Sequence, residues 1–155
     1  KIALHRRKLG VVHQDHCLLL DQTVFDNVAL PLLLAGASPT QIKVRVHQVL
    51  DSLGLANRYH SISADLSTGE QQRVGIARAM VAEPDLLLAD EPTGNLDPTL
   101  AADIMRMLVD LCAQGTAVVI ASHDLALVKR MKKRVLVIEH GRLTDDISPE
   151  DLADE

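Results

Sequence analysis

From residue 86 onward, the chain alternates short apolar runs with segments of helical period. The apolar runs are residues 86–89, 117–121 and 135–138, and helical segments that begin at Asp97 and Asp124 separate them. Buried parallel strands have this continuous apolar character, because helices cover such sheets on both faces. We therefore predict an α/β fold with a mostly parallel sheet flanked by helices, in which residues 117–121 form a buried strand.

The first half of the chain has mainly helical patterns. A short strand is expected to end at Gln14, and residues 15–82 are expected to form a helical subdomain. Caps and apolar spacing predict three helices there: residues 23–34, Ser38 to Gly54, and Ser67 to the residue before Pro84. Pro31 should kink or divide the first helix, because proline removes a helical hydrogen bond. Residues 83–147 would then form the C-terminal part of the α/β core, and residues 148–155 an acidic tail.

The composition excludes several classes of function. With 155 residues, of which 47% are hydrophobic, the chain is large enough for one globular domain. A net charge of −5 and only two aromatic residues, Phe25 and Tyr59, argue against a nucleic-acid partner, which needs basic and stacking surfaces. The basic cluster within residues 129–134 is either a solvated helix end or a contact for an anionic membrane.

Cellular location is expected to be cytosolic. No apolar run approaches the roughly 20 residues that cross a bilayer. The first residues also lack the features of a secretory signal. The two cysteines, Cys17 and Cys112, are interpreted as ordinary thiols.

Two adjacent carboxylates, Asp90 and Glu91, follow the apolar run at residues 86–89. Successive side chains at a strand end project in different directions, so one carboxylate can hold a cation while the other meets water. That division suits nucleotide hydrolysis, in which magnesium needs a hard oxygen ligand and the attacking water needs a base. The alternative is a strand that simply ends in a charged turn.

A helix is predicted to begin within the sequence Leu-Ser-Thr-Gly-Glu-Gln-Gln-Arg at residues 66–73. Ser67 and Glu70 match a capping box. The unpaired N–H groups and the dipole at a helix N-terminus also favour an anion such as phosphate. The alternative is a well-capped helix without a ligand.

Five motifs in a fixed order carry a family resemblance. Residues 66–72 resemble the signature motif of ATP-binding-cassette (ABC) ATPases, residues 86–91 their Walker B strand, residues 95–97 their D-loop, His123 their switch histidine and Gln14 their Q-loop glutamine. The sequence that begins at Asp90, Asp-Glu-Pro-Thr-Gly-Asn-Leu-Asp, resembles the branch of cell-division, lipoprotein-release and macrolide-export ATPases. The segment that begins at His13 is most similar to the FtsE-type cell-division ATPases.

This resemblance implies a P-loop NTPase-like cassette in which two copies bind two ATP molecules head to tail with Mg²⁺. It implies that Glu91 activates water, that His123 contacts the γ-phosphate and that Gln14 links the metal to movements of the partner. Asp90 and Gln14 would be the residues at the metal ion. The residues implied to face the neighbouring copy and its nucleotide are Ser67, Thr68, Gly69, Glu70 and Asp97.

The same resemblance implies an integral membrane partner, an FtsX-like permease, and a peripheral location at the inner face of the cell membrane. The function implied is ATP hydrolysis in cell division. Two rival interpretations are an ATPase subunit of a lipoprotein-release or macrolide-type exporter, and a non-catalytic interaction fragment.

Two features depart from the family pattern. Thr68 stands where glycine is usual, and its Cβ would restrict the approach of the backbone to a γ-phosphate. The Walker A sequence, Gly-x-x-x-x-Gly-Lys-Ser/Thr, does not occur in the 155 residues. The resemblance leads us to expect that loop upstream of Lys1.

Two local clusters have open interpretations. His13, His16 and Cys17 have the spacing of soft metal ligands, although no fourth ligand is evident and Gln14 between them already has a family role. The three leucines at residues 18–20 either pack beneath the helical subdomain or form an exposed patch that receives a helix of the membrane partner.

We predict that the 155-residue chain alone binds Mg-ATP weakly. The backbone amides and the lysine of a Walker A loop supply most phosphate contacts in such domains, and this sequence contains no such loop. Isothermal titration calorimetry measures the affinity directly. A dissociation constant in the micromolar range would contradict the prediction.

Overall fold

A computed structural model of the chain describes residues 8–94 and 96–151. The chain divides into two compact units, Lys1–Ala121 and Ser122–Glu155. The first unit contains a parallel sheet and four helices, and the second contains one helix and a hairpin, counted over the described residues. The α/β class predicted from the sequence is confirmed.

A three-stranded parallel sheet forms the centre of the first unit. In spatial order its strands are β1 (Leu9–Val12), β2 (Leu86–Asp90) and β3 (Ala117–Ala121). β2 pairs with both neighbours, and its Leu87 and Ala89 are buried. The register sets Val12 opposite Ala89 and Asp90 opposite Ala121, so the carboxyl ends of the three strands meet at one edge. A site built at that edge can take residues from all three strands.

β3 is not the buried strand that its apolar sequence predicted. Its residues alternate between exposed and half-buried, and Val119 is 55% exposed. The physical reason is its place at the edge of the described sheet, where β2 is its hydrogen-bonded neighbour. The apolar run at residues 117–121 therefore predicted the strand correctly but not its burial.

Three helices connect β1 to β2, and one connects β2 to β3. They are α1 (Val24–Leu34), α2 (Pro39–Ser52), α3 (Thr68–Met80) and α4 (Pro98–Ala113). Ser38 begins α2 and Ser67 begins α3, each in a capping box. Asp97 begins α4, since its carboxylate accepts hydrogen bonds from two backbone N–H groups of the first turn. α3 packs against α1, α2 and β1, and this makes it the central helix of the unit.

Pro31 does not divide α1, which runs as one helix from Val24 to Leu34, while a kink at Pro31 stays a prediction. Val24 and Val28 of α1 are fully buried, and the helix packs against α2 and α3. Tertiary packing supplies most of the stability of a short helix, which explains why one missing backbone hydrogen bond does not interrupt it.

Asn27 fixes the loop that precedes α1. Its side chain is fully buried. Its Oδ1 accepts from the N–H of Leu19 at 2.8 Å, and its Nδ2 donates to the carbonyl of Leu19 and to the Ser63 hydroxyl, both at 2.9 Å. A buried amide that is satisfied in this way gives the leucine segment at residues 18–20 a defined backbone.

The second unit contains α5 (Leu125–Met131) and a hairpin of β4 (Val135–Glu139) and β5 (Arg142–Ile147). The turn at His140 and Gly141 has positive φ at both residues, the type I′ geometry that two-residue hairpins favour. The sequence predicted β4 and this turn but missed β5, whose residues Arg-Leu-Thr-Asp-Asp-Ile lack a clear apolar alternation.

Two further predictions concern the second unit. The basic cluster is split, since Lys129 and Arg130 lie in the last turn of α5 while Arg134 bonds Asp146 of β5 through two nitrogen atoms, at 2.8 and 2.6 Å. Of the predicted acidic tail, residues 152–155 lie outside the described residues.

Candidate active site

Glu91 lies in a strained turn directly after β2. Its φ is 45°, a left-handed conformation that is uncommon for a residue with a side chain. Its N–H donates to the carbonyl of Ala121 at 3.0 Å, and its own carbonyl accepts from the N–H of Gly94 at 3.1 Å. Such conformations cost about 1 kcal/mol or more and cluster at functional sites, where surrounding contacts maintain them. In this turn Glu91 is half-buried, while the preceding Asp90 is exposed.

Gln14 reaches the same turn from the loop after β1. A Cβ placed on Gly94 would lie 3.5 Å from the Cβ of Glu91 and 3.6 Å from Nε2 of Gln14. The structure thus brings together two of the predicted site residues, Gln14 and Glu91, because β1 pairs with β2. In the sequence, 76 residues lie between them.

The donors at this edge fit magnesium that arrives with a nucleotide. Asp90 offers an exposed carboxylate and Gln14 an amide oxygen, both hard ligands. Among residues 8–94 and 96–151, no three His, Cys, Asp or Glu side chains are close enough to hold a metal ion by themselves. Magnesium bound to phosphates needs only one or two protein ligands, because phosphate oxygens and waters complete its shell.

Glu70 holds together the first turn of α3. Its Oε2 accepts from the N–H of Ser67 at 2.9 Å and from the Ser67 hydroxyl at 2.8 Å, while its Oε1 accepts from Nε of Arg58 at 2.8 Å. The backbone hydrogen bond from Ser67 is the largest of several causes that hold the pKa of Glu70 below its usual value. This carboxylate and the Ser67 hydroxyl are therefore both engaged in the helix end, and the exposed Thr68 side chain lies beside them.

Gly69 is buried because the neighbouring helix approaches it closely. A Cβ on Gly69 would lie 2.1 Å from Cδ2 of Leu100, inside any permitted contact. Leu100 lies in the first turn of α4, the helix that Asp97 caps. The predicted signature segment is therefore in contact with the first turn of the helix that Asp97 of the predicted D-loop caps. Thr68, in contrast, is exposed at the first position of α3, where a helical backbone needs no glycine.

His123 belongs to the second unit, where it is exposed and precedes Asp124, the N-cap of α5. Its contact with a γ-phosphate stays a prediction. Asn95 of the predicted D-loop lies outside the described residues.

Sequence reasoning missed two residues of α3 that hold the site loops. Nε2 of Gln72 donates to the carbonyl of Pro92 at 2.7 Å. Arg78 donates to the carbonyls of His16 and Cys17 at 2.7 and 2.6 Å. The sequence contained a signal for Gln72, because this polar residue lies on the same helix face as the apolar Ile76, which follows one turn later.

Comparison with known proteins identifies the family. The family described as "ABC transporter" matches residues 1–94. The chain belongs to the ABC transporter family. It is 48% identical over 145 residues to the cell division ATP-binding protein FtsE of Escherichia coli (strain K12), a match that covers 94% of this chain and 65% of that protein. It is also 48% identical over 148 residues to FtsE of Bacillus subtilis (strain 168), covering 96% and 65%.

A solved structure shares the fold. The chain is similar to cbiO1 from Clostridium perfringens, described as part of the ABC transporter complex cbiONQ, with a TM-score of 0.87 and 31% identity. That match covers 97% of this chain and 61% of cbiO1. The chain therefore spans slightly less than two thirds of the relatives it matches.

We predict opposite effects of alanine at two glycines of α3. Gly75→Ala should stabilise the chain by about 0.5–1 kcal/mol, because alanine favours a helix and its Cβ would meet the nearest atom, the carbonyl oxygen of His16, at an ordinary 3.8 Å. Gly69→Ala should destabilise the chain, because Leu100 would have to leave its rotamer. Urea denaturation of both variants gives the two free energies of unfolding.

A double-mutant cycle isolates the cause. In a Leu100→Ala background, the penalty of Gly69→Ala should disappear. Equal stabilisation by both glycine substitutions in the unmodified chain would show that α3 and α4 do not approach as described.

Proposed function

We propose that this chain is part of an ATP-binding and ATP-hydrolysing subunit of a membrane-associated ABC complex that acts in cell division. The proposal rests on the proximity of Gln14 to the turn that contains Glu91, at the edge of the sheet where the parallel strands end. In open α/β sheets, ligands bind at this edge.

Each side chain at this edge has a distinct proposed task. Glu91 orients the attacking water and accepts its proton, a role that its half-buried position and fixed turn suit. Asp90 and Gln14 hold the magnesium ion, which on binding would neutralise charge on the phosphates. His123 contacts the γ-phosphate in the complete protein.

The second nucleotide contact is proposed to come from another copy of the chain. The exposed N-cap residue Ser67 and the backbone N–H groups of Thr68 and Gly69 in the first turn of α3 suit an anion, provided that a second copy presents one. Thr68, Gly69 and Glu70 shape that end of the helix, and Asp97 at the neighbouring end of α4 completes the contact between copies. ATP would therefore bind between two copies arranged head to tail.

A membrane partner is proposed to bind the leucine segment at residues 18–20. Leu19 and Leu20 are 45% and 52% exposed, so they do not pack beneath the helical subdomain, while Leu18 is half-buried. Asn27 fixes the backbone of this segment and presents its side chains in one arrangement. A short apolar helix of an FtsX-like permease would cover them.

The proposed location is peripheral, at the inner face of the cell membrane. In the part of the chain that the structure describes, no helix has the length and apolar character to cross a bilayer. Attachment would then depend on the permease.

The proposed base can be tested in the longer protein that includes a Walker A loop. Glu91→Gln keeps the size of the side chain and removes the proton acceptor, so turnover should fall by about two orders of magnitude or more while nucleotide affinity survives. Glu83→Gln is a matched control, because Glu83 also has a positive φ and is exposed away from the site. Turnover of Glu91→Gln within about threefold of the unmodified protein, well under 1 kcal/mol, would remove Glu91 from the mechanism.

The proposed docking segment can be tested by charge. Leu19→Asp should weaken co-purification with the permease and leave basal ATPase activity largely intact, because a desolvated carboxylate opposes an apolar contact. Leu33→Asp is the control, since Leu33 is also an exposed leucine, at 56%, and lies on the last turn of α1. Circular dichroism checks the fold of both variants. Unchanged permease binding by Leu19→Asp would exclude the segment from the interface.

A further inference from the structure

Gln72 is a buried polar residue whose side chain joins α3 to the loop after β2. It is 2% exposed, and its Nε2 donates to the carbonyl of Pro92 at 2.7 Å. Pro92 directly follows Glu91 and has no N–H, so this carbonyl is its single backbone hydrogen-bonding group. A hydrogen bond between buried groups is maintained, because breaking it would leave both unsatisfied.

The bond fixes a turn that would otherwise relax. Glu91 has a positive φ. The turn is closed by a hydrogen bond from the N–H of Gly94 to the carbonyl of Glu91. A strained residue keeps its conformation only where surrounding contacts determine it. The bond from Gln72 attaches this turn to the helical part of the unit.

The same helix holds the loop that carries Gln14. Arg78 donates to the carbonyls of His16 and Cys17, which both have positive φ. A Cβ on Gly75 of the same helix would also lie 3.8 Å from the carbonyl oxygen of His16. α3 therefore contacts the loop after β1 through Arg78 and the loop after β2 through Gln72.

We propose that Gln72 is a positioning residue for Glu91. Through the carbonyl of Pro92, it couples the position of α3 to the direction of the Glu91 carboxylate. The inference rests on the proposed function, in which the start of α3 contacts the nucleotide of a second copy. A displacement of α3 by that nucleotide would then be transmitted through Gln72 to the base of the same chain.

The test uses Gln72→Met in the longer protein with its Walker A loop, because methionine keeps the length of the side chain and removes the donor. We expect kcat to fall by about tenfold or more while the Kd for Mg-ATP changes by less than about threefold, as befits a group that acts only on the chemical step. Gln71→Met is the matched control. Gln71 also donates from its side-chain amide to backbone carbonyls, but these belong to Ser63 and Leu66. Its kcat should exceed that of Gln72→Met by about fivefold or more.

Hydrogen exchange provides a readout that needs no nucleotide. Peptides covering residues 91–94 should exchange about tenfold faster in Gln72→Met than in the unmodified protein and should be unchanged in Gln71→Met. If Gln72→Met does not fold, Gln72→Leu, which also carries no hydrogen-bond donor, replaces it.

The outcomes separate this inference from the proposed function. A protein that hydrolyses no ATP overturns the proposed function, while the exchange of residues 91–94 still tests the bond. Unchanged exchange in the Gln72 variant, or equal loss of kcat in both variants, would overturn the role of Gln72. A loss of turnover that is explained entirely by a weaker Kd for Mg-ATP would overturn it as well.

Discussion

The hydrogen bond from the buried side-chain amide of Gln72 to the carbonyl of Pro92 joins α3 to the turn after β2, the two segments of the first unit that contribute to the candidate site. On one side lies α3, which packs against α1, α2 and β1. On the other lies the turn in which the strained Glu91 follows β2. Because α3 also holds the loop after β1 through Arg78, a single helix sets the positions of both site loops.

This arrangement explains three of the unusual backbone conformations. Of the six non-glycine residues with positive φ in the described part of the chain, His16, Cys17 and Glu91 lie in, or next to, a backbone segment that α3 contacts. Such conformations need external support, and side chains of a rigid helix supply it. The site is therefore preformed by contacts within one chain, while the exposed end of α3 remains available for a second copy.

Local features of the fold were predictable from the sequence. The capping residues Ser38, Ser67 and Asp97 begin their helices as expected, because a cap acts over only three or four residues. The strands were also found, but the exposure of β3 was not, because burial depends on which neighbours a strand has. The continuation of α1 through Pro31 depends in the same way on packing against distant helices.

The candidate site was predictable only in part. The carboxylates Asp90 and Glu91 were identified because their residue types are tied to their chemistry. The roles of Gln72 and Arg78 were not, because both donate to backbone carbonyls, which any residue provides. No sequence pattern marks the partner of such a bond. The conformation of Glu91 could not be predicted from the sequence either, since a positive φ is normally expected at glycine.

We propose that this chain belongs to an ATPase whose sites are completed by a second copy. The decisive experiment measures how the rate of ATP hydrolysis depends on protein concentration, using the longer protein with its Walker A loop at saturating Mg-ATP. The rate per molecule should rise with concentration and reach a plateau as pairs form, because each site needs the α3 end of another copy. A rate per molecule that is constant down to concentrations at which sedimentation shows only monomers, or no hydrolysis at any concentration, would contradict the account.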